Sequence, residues 1–499
     1  MKENKFKYKI LNATKWSTIT EIIARLVMPI TNMVLARILN PEAFGVIATI
    51  TMVISFADMF TDAGFQKYLV QHEFKNDDEK HKNATVAFWS NLGISFFLWG
   101  IITIFSETIA MLVGNPGLGM VIVVAGISLP LTSFSSIQMA LYRRDFNYKT
   151  LFFVRIIGIV IPFIITIPLA LFGFSYWALV IGTICGNLSN AVALTIYSKW
   201  KPTKFYSILL LKKMLSFSIW SLIEAISIWL TSWIGTFIVG SMLSIYYLGI
   251  YKTSITVVNG IMGVITGSTT SILFSALSRL QDDEIEYNKI FFEFQRLVSF
   301  FILPIGVGTY MYRDLITTIL LGSQWKDASL FIGLWGISSA FSIVLAHYSS
   351  EVYRSKGKPK LSFLAQVLHL IILVPVLIFS AQYDFVTLVY ARSLVRLQFI
   401  FVHLILMHFV IKINLWDIMK NLVPSILCAG AMGILAHILQ RISSSLLWDC
   451  ISIGICAGFY CLVSILVPNT RKEIVRFIKK SRINLPSRIV KQCHIIKKL

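Results

Sequence analysis

Apolar runs of about 20 residues alternate with short polar connections along nearly the whole chain. A helix rising 1.5 Å per residue crosses the hydrocarbon core of a bilayer in about that length. Fourteen runs are legible, near 13–38, 44–65, 84–106, 117–141, 150–171, 175–198, 214–241, 249–277, 290–320, 328–353, 361–380, 385–410, 422–440 and 446–467. Hydrocarbon offers no partner to a bare peptide group, so segments of this kind close their hydrogen bonds internally as helices. The pattern predicts an all-α polytopic membrane protein with about 14 transmembrane helices.

The connections are not equivalent. With the N-terminus inside, the tails and inner connections hold 35 Lys and Arg, whereas the opposite connections hold only Lys326 and Arg441. This asymmetry predicts cytoplasmic termini, and with them an even number of spans. No opposite-side connection exceeds about ten residues, which leaves no room for the large catalytic loop of a membrane glycosyltransferase or polymerase. The sequence contains no GxxxxGK[ST] phosphate loop, so ATP hydrolysis is not expected and the chain reads as a non-enzyme.

Composition agrees with that class. Of 499 residues 56% are hydrophobic and 14% charged, too little polar surface for a soluble domain of this size. The net charge of +21 is spread over short loops rather than gathered on one domain, so nucleic acid is not an expected partner. The N-terminal stretch MKENKFKYKI runs into an apolar segment with no small-residue cleavage site, and no signal peptide is expected. Six cysteines show no CxxC spacing and carry no metal or disulfide signal.

An internal repeat is visible at an offset of 204 residues. Laid over 217–259, residues 13–55 pair Trp16-Ser17 with Trp220-Ser221, Ile19 with Ile223, Leu39 with Leu243, Gly45 with Gly249 and Thr49 with Thr253. Ten of 43 positions are identical, where apolar composition alone would give about four. The division expected is a six-helix bundle over 1–198, a cytoplasmic linker over 199–213 and a second bundle over 214–410. Two further helices lie over 411–467, then a basic cytoplasmic tail over 468–499. A parallel repeat of six helices is typical of alternating-access transporters. Small residues align along Ala178, Gly182, Gly186 and Asn190, and along Gly260, Gly263, Gly267 and Ser271, as tight helix crossings require. The tail mixes Ile474, Val475, Phe477 and Ile478 with cations, as an interfacial helix on anionic lipid would.

The blocks LARILNPEAFGVIA (35–48), FADMFTDAGF (56–65), LYRRDFNY (141–148), YYLGIYK (246–252), FSALSRLQDD (274–283) and LLGSQWKDAS (320–329) resemble the oligosaccharide flippases of the polysaccharide transporter family (Wzx/WzxC-like). Lipid II flippases and the multidrug-and-toxin extruders (MATE) share its superfamily. The resemblance implies two six-helix bundles in a V around a cavity lined by helices 1, 2, 7 and 8, with helices 13 and 14 accommodating a lipid tail. It implies an undecaprenyl-diphosphate-linked oligosaccharide as cargo, moved from the cytoplasmic to the outer leaflet of the bacterial inner membrane for surface polysaccharide synthesis. Membrane lipids, a polysaccharide polymerase and glycosyltransferases are the partners it implies, and an H⁺ or Na⁺ gradient replaces any cofactor. The alternative is a MATE-like antiporter of small organic cations.

Ionisable residues inside the spans are the candidate site residues, because a charge there costs several kcal/mol unless it faces a partner, a cavity or water. Glu21 and Arg25 share one face of the first span at i, i+4. Asp58, on the antiparallel second span, lies at a similar depth, about 10 Å from the inner edge. A cluster of Glu21, Arg25 and Asp58 is expected, either as a structural salt bridge or as a contact for diphosphate, sugar or a coupling ion. Asp62 is expected at the interface, where Gly64 ends the helix. Glu224 lies deep in the seventh span and Lys252 near the outer end of the eighth. Arg392 and Arg396 share a face of the twelfth span, and two like charges at mid-depth call for something anionic, a diphosphate or an acid such as Glu224. His347, His369 and His403 are isolated on apolar runs and read as hydrogen-bonded packing residues. No metal site is expected.

Overall fold

The computed structural model describes residues 2–62, 64–443, 445–467 and 471, and every element among them is helical. The chain forms two compact units. The first is Met1–Thr253 with Leu320–Trp325 and Leu377–Phe385, and the second is Ser254–Ile319, Lys326–Val376 and Val386–Leu499. The first holds α1 (Lys2–Ile38), α2 (Pro41–Asp62), α3 (Phe65–Gln71), α4 (Asp77–Ile104), α5 (Ser106–Leu112), α6 (Gly119–Gly126), α7 (Ser128–Arg144), α8 (Tyr148–Leu171), α9 (Tyr176–Tyr197) and α10 (Ile208–Met242). The long α11 (Ile245–Ser278) starts in the first unit and continues into the second. Next come α12 (Glu284–Met311), α13 (Arg313–Leu320), α14 (Ala328–Ser342), a π-helical turn (Ile343–His347), α15 (Ser349–Ser355), α16 (Lys360–Ala381), α17 (Phe385–Phe409), α18 (Leu415–Gln440) and α19 (Leu446–Leu466).

Thirteen helical stretches among the described residues are long and apolar enough to cross a membrane, and they coincide with the second to fourteenth expected spans. The first expected span lies in the 37-residue α1, many of whose side chains are outside the described set. Thirteen is therefore the number the structure supports. The interfacial tail helix expected over 471–484 also lies outside the described residues, apart from Arg471.

Three spans differ from single uninterrupted helices. The fourth breaks at Ile127 between α6 and α7. Pro130 stands in the first turn of α7, where it has no N–H to return to Gly126 and its ring crowds that carbonyl. The ninth ends at Met311 rather than near 320, and Arg313-Asp314 opens the short α13. An uninterrupted helix over 290–320 would span about 46 Å, well beyond a hydrocarbon core of about 30 Å, so turning at the charged pair keeps both ions out of it. The tenth contains the π turn. As expected, α2 stops at Asp62, with Gly64 in the left-handed conformation at φ +79°.

The 199–213 segment is docked rather than loose. Trp200 is buried against Phe65, Tyr68 and Phe88, Trp89 Nε1 donates to Thr203 O at 2.8 Å, and Ser90 Oγ meets Tyr206 OH at 3.0 Å. This anchoring, and the contacts of α10 with α2, place the seventh span in the first compact unit. The close approaches expected along α9 are present. A Cβ on Gly182 or Gly186 would collide with Thr166 or Pro162 of α8, and one on Gly158 with Asn190.

The 204-residue repeat has a physical counterpart. Gly45 of α2 lies against the carbonyl of Ile245 on α11, and Gly249 of α11 lies against the carbonyl of Pro41 on α2. These pairs exchange under the offset, since 41 and 45 become 245 and 249. The connections behave alike. Gly114, at φ +76°, lies on the backbone of Gly240 in α10, while Trp325 Nε1 donates to Ala36 O of α1 at 2.7 Å; Ala36 and Gly240 are repeat equivalents. Gln324 Nε2 donates to Leu39 O at 2.8 Å, and Asn115 Nδ2 to Thr49 Oγ1 at 3.0 Å. Each half thus places a connection on the helix end of the other half, as in an isologous interface.

Gly45→Ala and Gly249→Ala are each expected to cost about 1–3 kcal/mol, because the new methyl meets backbone that has no room to yield. Gly93→Ala, with nothing within 4 Å, is expected to be neutral or stabilising by up to about 1 kcal/mol. Thermal unfolding of the three variants in one lipid or detergent system measures the order.

Candidate functional site

Asp58 stands on α2, half-buried, with two hydroxyls converging on one carboxylate oxygen. Thr132 of α7 donates to Oδ1 at 3.0 Å, and Thr61 approaches the same atom at 3.2 Å. Each hydroxyl is also within reach of a main-chain carbonyl, Leu129 O at 3.0 Å for Thr132 and Asp58 O at 2.8 Å for Thr61. The break at Ile127 sets the register in which α7 presents Thr132. All these donors and acceptors are oxygens, a set suited to a proton or a hard monovalent cation. The expected cluster with Glu21 and Arg25 involves side chains outside the described set, as do those of Asp62 and Glu224.

Aromatic side chains flank this acid. Trp229 of α10 donates from Nε1 to Ser55 Oγ at 3.0 Å, and its ring lies 4.8 Å from Phe56, itself 5.2 Å from Phe60. Phe56 is exposed. One turn further on, Trp233 receives Lys252 Nζ 3.5 Å from its ring centroid. Lys252 is thus held, half-buried, by the ring's negative face, which softens the cost of a cation inside a span. Sequence reasoning singles out Asp58 and Lys252 but misses Thr132, Trp229 and Trp233. A neutral partner on a distant helix leaves no charge signal in an apolar run.

Arg392 and Arg396 form the second group, in the other unit. Their sequence pattern calls for something anionic nearby, and the structure places both guanidinium groups on one indole. Their Cζ atoms lie 4.8 and 3.5 Å from the ring centroid of Trp335 on α14. Arg396 Nη1 also donates to Ser339 Oγ at 2.6 Å, and Arg392 is only 9% exposed. The i, i+4 spacing that aligns the cations also lets one ring contact both. Buried to this degree, Arg392 is a packing element of α14 and α17. His369 and His403 are buried packing residues as expected, with His369 Nδ1 3.0 Å from Gln398 Oε1 and His403 Nδ1 3.1 Å from Tyr353 OH. His347 is not: it is exposed beside Thr270 of α11. The glycine stripe of α11 also opens where a tight crossing is expected, with Gly267 exposed. Among the described residues no group of three or more His, Cys, Asp or Glu side chains could hold a metal ion.

Trp335→Leu removes the face both guanidinium groups share and is expected to lower stability by about 1–3 kcal/mol. Trp335→Phe keeps a weaker face and should recover part of that loss. Thermal unfolding of purified chains measures both.

Known proteins share this fold and its pattern of spans. Residues 34–330, more than half of the chain, match the family described as polysaccharide biosynthesis protein. The chain is 25% identical over 384 residues to an uncharacterized membrane protein in the cps region of Klebsiella pneumoniae, covering 76% of this chain and 78% of that one. It is 23% identical over 305 residues to the succinoglycan biosynthesis transport protein ExoT of Rhizobium meliloti, covering 61% of each. Among solved structures it resembles the lipid II flippase MurJ in an inward closed conformation, with a TM-score of 0.70 at 15% identity over 90% of this chain and 98% of that one. It also resembles an inward-facing multidrug resistance MATE family transporter of the MOP superfamily, with a TM-score of 0.56 at 13% identity over 82% and 98%.

Proposed function

The chain belongs to the polysaccharide biosynthesis protein family, and from that premise we propose that it flips undecaprenyl-diphosphate-linked oligosaccharides from the cytoplasmic to the outer leaflet of a bacterial cytoplasmic membrane. It is a polytopic membrane transporter with the fold of the MOP superfamily. The observation that carries the proposal is the coincidence of that fold with a family match spanning residues 34–330. ExoT, named for succinoglycan transport, supports a glycan cargo. The bundles over 1–198 and 214–410, joined by 199–213, are the repeated halves, with 411–467 added after them and both termini cytoplasmic. The reciprocal crossing at Gly45 and Gly249 lies on the side that the basic residues assign to the exterior. It acts as the outer barrier of an alternating-access cycle. The small-molecule antiporter alternative draws on the more distant of the two fold likenesses.

Asp58 is the coupling group. With Thr61 and Thr132 on its carboxylate, it takes up a proton or Na⁺ when α2 and α7 are together and releases it when they part. Lys252, held on Trp233, contacts the anionic diphosphate, while Glu21, Arg25 and Glu224 stand on spans that line the path. Arg392 and Arg396 are structural.

Deleting the gene is expected to make polyprenyl-linked oligosaccharide accumulate on the cytoplasmic side and to reduce surface polysaccharide; unchanged lipid pools and unchanged polysaccharide contradict the proposal. In proteoliposomes Asp58→Asn keeps an acceptor for both threonines but removes the charge. It should fold normally and lose the stimulation that a proton or Na⁺ gradient gives the parent chain. Stimulation equal to that of the parent removes Asp58 from coupling.

A further inference from the structure

The helical stretch from Ala328 to Ser355 is covered almost throughout. Across 328–353, all of them described residues, His347 is the only exposed one. It lies about 12 Å from the Ser355 end and about 30 Å from the other. At that level an imidazole turned toward hydrocarbon is costly, and the half-buried Leu330, Leu334, Ile337, Phe341 and Leu345 already form the apolar, partly open face of this helix, two residues or more away from His347. The exposure therefore opens into a space among helices.

Its placement is built by the π turn Ile343–His347, which inserts an extra residue into the helical repeat and re-aims the side chains beyond it. The bulge is braced from behind. Gln295 Nε2 of α12 donates to Val344 O at 3.4 Å, Asn421 Nδ2 of α18 donates to Gln295 Oε1 at 3.0 Å, and Arg296 Nη1 donates to Asn421 Oδ1 at 2.6 Å. After the turn, Tyr348 OH meets Thr269 Oγ1 at 2.7 Å and is packed on Phe294. Such support is what a positioned polar side chain requires.

The hydrogen-bond geometry favours one tautomer. Thr270 Oγ1 donates its single proton to Thr266 O at 2.7 Å, so toward His347 Nε2, 3.3 Å away, it can only accept. Nε2 carries the proton, and Nδ1 presents an acceptor lone pair. Beside Thr270, one turn earlier on α11, the exposed Gly267 leaves bare backbone rather than a side chain. A neutral acceptor offers nothing to a diphosphate, which needs donors, but it matches a hydroxyl.

We infer that His347, oriented by Thr270, is a sugar-contacting residue on the transport path, accepting a hydrogen bond at Nδ1 from a hydroxyl of the oligosaccharide. This rests on the proposed glycan cargo and adds to it a site for the uncharged part of that cargo. His347 is a substrate contact; Thr270, Gln295 and Asn421 are positioning residues.

The test is carbethoxylation by diethyl pyrocarbonate on the full chain in lipid nanodiscs, read residue by residue by mass spectrometry. The exposed His81 and the buried His403 serve as fast and slow references. His347 is expected to react nearer the rate of His81. Polyprenyl-diphosphate-linked oligosaccharide, purified from a strain lacking this transporter, should slow His347 by about three- to tenfold, the worth of one neutral hydrogen bond, and leave His81 unchanged. Undecaprenyl diphosphate without sugar should give no protection. Labelling as slow as His403, equal protection by both lipids, or protection by neither overturns the inference. In transport assays His347→Gln should retain more activity than His347→Ala on the oligosaccharide lipid, and equal loss argues against a hydrogen-bonding role. Lipid accumulation in the deletion strain reports on the glycan cargo independently of His347, so failure of the site and failure of the function are told apart.

Discussion

Helix backbones in direct contact, at Gly45 against Ile245 and Gly249 against Pro41, fix how the two repeats meet. Inside a membrane the hydrophobic effect does not pull helices together, because lipid tails are as apolar as leucine. Only close packing and polar contacts remain, and both need side chains small enough to stay out of the way. The two glycines remove them at equivalent points of the repeat, so one solution serves twice. The connections depend on it: with α2 and α11 this close, Gly114 packs on the backbone of Gly240, and Gln324 and Trp325 donate to carbonyls at the end of α1.

The ionisable groups obey a second constraint. A charge inside a span must be compensated, and here neutral groups supply part of that compensation. Lys252 takes the face of Trp233, Arg392 and Arg396 share Trp335, and Asp58 takes two hydroxyls. A π face against a cation inside a span lowers the cost of keeping it charged there. A residue held this way can exchange partners during a cycle. Arg392 is buried, whereas Arg396 and Lys252 are both half-buried.

Much of the fold is legible in the sequence because the bilayer imposes one length and the basic residues mark one face; the expected spans fall on long helices with few exceptions. The exceptions arise where local chemistry overrules length, at Pro130 and at Arg313-Asp314. The candidate site is legible only in its charged half. Asp58, Lys252, Arg392 and Arg396 announce themselves as ions in apolar runs. Thr132, Trp229, Trp233 and Trp335 do not, since threonine and tryptophan are ordinary in such runs and acquire meaning from which helix faces them. His347 departs from its expected packing role for a related reason. Exposure within a covered helix is a tertiary property, and the π turn that produces it has no residue signature in IVLAH.

The cargo proposed, a lipid-linked glycan, would make two different polar demands on its path. Its diphosphate carries charge that a cation must meet, but its sugars carry only hydroxyls, and a path lined by cations alone would hold the head group while leaving those hydroxyls without acceptors as water is removed. Each unmatched hydroxyl would cost about 1–3 kcal/mol, so passage of several sugars requires neutral acceptors in the path. An imidazole nitrogen placed by a braced backbone bulge, as inferred for His347, would meet that requirement without adding a charge to the membrane interior.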